Sequence, residues 1–150
     1  MVIMVQMDST ISFDDSSLGN ANRIRLVFLV YAVVLPLVSF IIPESDLPGN
    51  TNPLFLSWVL LVMMPIELLL IYVFFRFFER STQWESIMGP AILMYMVATA
   101  PSIYAFIIGF TDSALRLLAI PVGLTFSLTG LLIAAMFVST LWEKVSTSNQ

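Results

Sequence analysis

Cysteine and histidine are both absent from this chain of 150 residues. Without cysteine there can be no disulfide, no thiolate nucleophile, and no cysteine-held zinc or iron–sulfur cluster. Without histidine the chain lacks the commonest metal ligand and the usual general base near neutral pH. Charge is scarce as well: Asp, Glu, Lys and Arg make up 11 % of the residues, against about 25 % in soluble domains. The six basic residues are scattered, so no patch exists to neutralise a phosphate backbone, and no nucleic-acid partner is expected. No cofactor and no metal site are predicted. An enzymatic role is not expected either, because a nucleophile–base pair or metal cluster has few residues left to build it.

Apolar side chains fill the space that charge leaves. Hydrophobic residues make up 59 % of the chain, more than a soluble fold of this size could hide from water. Four long apolar runs are separated by short polar breaks: Ile24–Ile42, Pro53–Phe75, Ser86–Phe110 and Ser113–Leu141. About 20 helical residues cross ~30 Å of hydrocarbon. Lipid offers no partner to an open backbone group, so each run must be helical. The expected fold is all-α: a polytopic membrane protein of four transmembrane helices in two antiparallel hairpins. Residues 1–22 read as a polar N-terminal tail, 23–142 as the transmembrane domain and 143–150 as a short C-terminal tail.

Helix starts are signalled by Asn20 or Asn22, by Asn52 before Pro53, by Thr82 with Glu85, and by Asp112 or Ser113. In a four-span topology Arg23, Arg25, Arg76, Arg80 and Lys144 fall on one side and Arg116 on the other. The positive-inside rule then predicts a multi-pass protein of the cell membrane with both termini cytoplasmic.

One acid lies deep in an apolar run. Glu67 follows Pro65 and stands nine residues (76 − 67) before Arg76, about 13 Å along a helix. Lodging it there costs at least ~2.5–3.5 kcal/mol on insertion scales. It should face the interior, either as a proton- or cation-binding carboxyl or as a protonated packing residue. Tyr31, Tyr95 and Thr99 are its expected partners by depth. Stripes of small residues predict close helix packing. One comprises Ala98, Ser102, Ala105 and Gly109, the other Gly123, Ser127, Gly130 and Ala134. The cluster of Phe74, Phe75, Arg76, Phe77, Phe78 and Arg80 reads as an interfacial anchor. The nine methionines read as apolar filling.

The segment Thr99-Ala100-Pro101-Ser102-Ile103-Tyr104-Ala105-Phe106-Ile107-Ile108, with the small-residue style of the last two runs, resembles the rotor-ring proteolipids (c-type subunits) of rotary ATPases. The chain also resembles small four-span membrane proteins without an assigned activity. The proteolipid resemblance implies an ion-binding carboxylate four residues before the Ile-Tyr step. Thr99 occupies that position here and cannot carry the charge, so no ion-binding role passes to it.

Two functional expectations follow. The first is a non-enzymatic structural, assembly or accessory subunit, partnered by the lipid bilayer and by copies of itself or other membrane subunits. The second is a small proton- or cation-translocating proteolipid or channel subunit that uses Glu67.

Overall fold

The computed structural model describes residues 15–41, 54–81 and 87–148. It is all-helical over them: α1 Asp15–Ile41, α2 Phe55–Arg80, α3 Met88–Thr111 and α4 Arg116–Ser148. All four helices are long and apolar enough to cross a membrane. The expected caps at Asn52, Thr82 and Glu85 lie outside the described residues.

Two helices are longer than their apolar runs. α1 begins at Asp15 and takes in Asn20 and Asn22, which were expected as caps. Ala21 is buried against the core, so packing draws this polar stretch of the expected tail into the helix. α4 continues past Leu141 to Ser148. Buried Leu141 and the tie of Lys144 to Glu79 hold that extension down.

The centre of the molecule is the α3–α4 pair. Half of the α3 span is buried, against 17 % of the α1 span. α1 and α2 each pack on both α3 and α4, and their described residues make no backbone contact with one another. The two expected hairpins are therefore not two packed pairs: the first and second helices flank the third and fourth. The core divides into two clusters. Phe75, Phe78, Met94, Tyr95, Leu131 and Val138 belong to one. Met64, Ala105, Ile108, Leu115 and Ala119 form the other, nearer the α3–α4 turn.

Both small-residue stripes lie in the interior of the bundle. Ala98, Ser102, Ala105 and Gly109 are all buried, as are Gly123, Ser127, Gly130 and Ala134. A Cβ on Gly130 would stand 3.3 Å from the Ala98 Cα, and one on Gly109 would stand 2.7 Å from Ser39 Oγ. Such close approach lets dispersion hold the helices together.

Ser102 adds polar ties between three helices. Pro36 has no N–H to give the Ala32 carbonyl one turn earlier. Ser102 Oγ, from α3, donates to that carbonyl at 2.7 Å. The Ser102 N–H in turn donates to Ser127 Oγ of α4 at 2.9 Å. A proline break that would otherwise strand a carbonyl in an apolar interior thus becomes a join.

Candidate functional site

Glu67 lies on the buried face of α2, in register with Ser57, Met64, Ile71, Phe75 and Phe78. From Ser57 these positions, Glu67 included, follow at steps of seven, three, four, four and three residues, so the acid points into the seam by helical geometry. It is 6 % exposed. Its partner is Tyr104 of α3, whose hydroxyl donates to Oε1 at 2.6 Å. Among the described residues, Oε2 carries no hydrogen bond.

None of the three expected partners reaches the acid. Tyr31 is 57 % exposed on the outer side of α1. Tyr95 is buried, with its ring 6.1 Å from that of Phe28. Thr99 turns its hydroxyl back to the carbonyls of Met96 and Tyr95 at 2.9 and 3.2 Å. Threonines in helices often bond their own preceding turn, and that spends the donor locally.

A signal for Tyr104 was present. Helical side chains lean toward their helix's N-terminus. α2 starts beside the end of α3, where the Leu54 amide meets Asp112. Glu67 therefore leans toward that end, and Tyr104 leans away from it. The two converge, although their Cα atoms differ in depth. Matching Cα depth alone favours Thr99 and misses the tyrosine.

A second polar cluster, Asp112 with Arg116, sits at the α3–α4 turn and reaches α1 and α2 as well. Asp112 is wholly buried. Its Oδ1 accepts from the Ala114 and Leu115 amides at 3.1 and 3.2 Å, which caps the turn leading into α4. Its Oδ2 accepts from the Leu54 amide at 2.7 Å, just before α2 begins. One carboxylate thereby serves two helix N-termini, where the macrodipole favours negative charge. Burial alone would raise its pKa. The nearby Ser57 hydroxyl and the Leu54, Leu115 and Ala114 amides outweigh burial and hold it below the ordinary 3.8.

Arg116 makes the complementary contact. It is buried, and its guanidinium donates to the Ser39 carbonyl at the end of α1. That carbonyl belongs to the last turn of α1, whose carbonyls have no helical donor, and a cation suits a helix C-terminus. The guanidinium also lies 6.0 Å from the centre of the Phe40 ring, within cation–π range.

Comparison with known proteins finds no match, whether among family models, curated proteins or solved structures.

The site's chemistry thus rests on its own geometry. Among the described residues no group of three or more acidic, histidine or cysteine side chains could hold a metal ion. Instead, polar side chains of the interior reach across helix boundaries: Glu67 to Tyr104, Ser102 to Ala32 and Ser127, Asp112 to Leu54, and Arg116 to Ser39. Sequence reasoning marked Asp112 as a cap but missed its bond to α2. Nothing in local spacing carries that bond, because 58 residues separate the partners.

Proposed function

We propose that this chain is a four-span integral membrane protein serving as a non-enzymatic structural or assembly subunit, with lipid and other membrane subunits as its partners. One observation carries this reading: the deep carboxyl, Glu67, closes against Tyr104 of the neighbouring helix. In that role the pair is a joint between α2 and α3. The proposed topology has antiparallel helices and both termini in the cytoplasm. Descending partner numbers support the first part, since Ala98 meets Gly130, Ser102 meets Ser127 and Ala105 meets Gly123. The distribution of arginine and lysine supports the second.

The alternative is a proton- or cation-translocating subunit. In its favour stands Oε2 of Glu67, which is without a hydrogen bond among the described residues.

Three substitutions separate the two. As a joint, Glu67→Leu and Tyr104→Phe should each lower stability in detergent by about 0.6 kcal/mol and at most about 1.7, the mean and the maximum of measured interhelical bonds in membranes, whereas Glu67→Gln, whose amide oxygen still accepts from Tyr104, should cost little. Proteoliposome fluxes of protons and sodium should be unchanged. A wild-type flux that Glu67→Gln abolishes without loss of stability overturns the structural role and establishes the other.

A further inference from the structure

The C-terminal turns of α2 present a face largely outside the bundle, although the Tyr72 ring stands 6.4 Å from that of Phe137 in α4. Tyr72, Val73, Arg76, Phe77, Arg80 and Ser81 line an open groove of about 780 Å³ there. Tyr72, Val73 and Phe77 are 52 %, 56 % and 63 % exposed. Arg76 and Arg80 are four residues apart, so they stand one above the other on this face.

Their charges are not equally balanced. Arg76 pairs with Glu79 at 2.6 Å. The same carboxylate also takes Lys144 of α4, so one acid is shared by two cations. Among the described residues Arg80 has no ion pair. Among the described residues the groove therefore combines unbalanced positive charge at the end of the helix with exposed aromatic and aliphatic side chains on the span side.

We propose that this groove binds the headgroup of an anionic phospholipid. The phosphodiester sits against Arg80 and Arg76, and an acyl chain runs along Phe77, Val73 and Tyr72. A guanidinium offers paired N–H donors to two phosphate oxygens. Charge complementarity selects an anion, and the apolar residues beside it select a lipid over free phosphate. The inference rests on the proposed membrane-spanning state.

The test uses the full chain in neutral detergent micelles. Dioctanoyl phosphatidylglycerol and dioctanoyl phosphatidylcholine are titrated in parallel, and bound lipid is counted by native mass spectrometry. The anionic lipid should be retained in preference. Arg80→Gln should weaken its binding about five-fold, as expected for one arginine near an anionic headgroup, and leave thermal stability unchanged. Arg80→Lys should recover most of the loss. Equal retention of the two lipids would overturn the site, as would an unchanged affinity in Arg80→Gln. Competition by millimolar inorganic phosphate would overturn the lipid assignment in favour of a free anion. A chain that is monodisperse without any amphiphile would instead overturn the membrane-spanning state itself.

Discussion

Replacing Asp112 with alanine is expected to destabilise the bundle by about 2–4 kcal/mol. Three backbone amides lose their acceptor at once: Leu54, Ala114 and Leu115. Each buried N–H left without a partner costs ~1–3 kcal/mol, and loss of a cap alone costs ~0.5–2. The sum is held down because the freed turn, at the end of the bundle, can relax and find water. Asp112→Asn keeps one acceptor oxygen and should lose about half as much.

The same carboxylate gives the bundle a pH dependence. Asp112 is held below the ordinary 3.8 in the folded state. A depressed carboxyl contributes its full stability above the unfolded value. That contribution is lost as pH falls through the lower, folded value. Thermal unfolding in detergent should therefore show a gap between wild type and Asp112→Asn that is constant near neutrality and shrinks below about pH 4. A gap that persists unchanged into strong acid would show that the carboxylate's charge is not what holds the turn.

Gly123 carries the second large effect. A Cβ there would stand 2.7 Å from the Pro101 carbonyl oxygen, and closer still to the Ala105 Cβ. Neither neighbour can step aside: one is backbone, and the other is a single carbon with no rotamer. Gly123→Ala must therefore part α3 from α4. Alanine gains up to ~1 kcal/mol of helix propensity over glycine, but overpacking of a close contact costs ~1–3 kcal/mol or more. The net expected loss is about 2 kcal/mol, read as earlier unfolding in a denaturing-detergent titration. Gly123→Leu should fail to fold. Gly89→Ala is the control. Nothing lies within 4 Å of a Cβ at Gly89, so that change should be neutral or slightly stabilising.

The sequence made some of these features visible and hid others, for physical reasons. Hydropathy marks the four helices because length and apolarity are local properties of a segment. The small-residue stripes are equally local, and Gly123 and Gly130 fall at the close approaches that the pattern implies. Glu67 is conspicuous because a deep acid is costly wherever it lies. Its partner is legible only from side-chain direction: Tyr31, Tyr95 and Thr99 match it in depth, but side-chain lean and local back-bonding decide the contact in favour of Tyr104. The start of α1 was hidden, because burial of Ala21, not propensity, extends the helix through Asn20 and Asn22. Long-range polar joins leave no periodic trace. The bond from Ser102 to Ala32 spans 70 residues, although Pro36 announces that some donor must be found for that carbonyl.

The central claim is four crossings with both chain ends on one side. The lack of native cysteine makes single-cysteine labelling its most direct test. Asn20→Cys, Ser81→Cys, Ser113→Cys and Ser146→Cys would each be exposed to a membrane-impermeant maleimide in intact cells and again after lysis. Only Ser113→Cys should label in intact cells, and the other three should label only once the membrane is opened. Labelling of Asn20→Cys and Ser146→Cys from opposite faces would contradict the account, as would labelling of Ser81→Cys and Ser113→Cys from the same one.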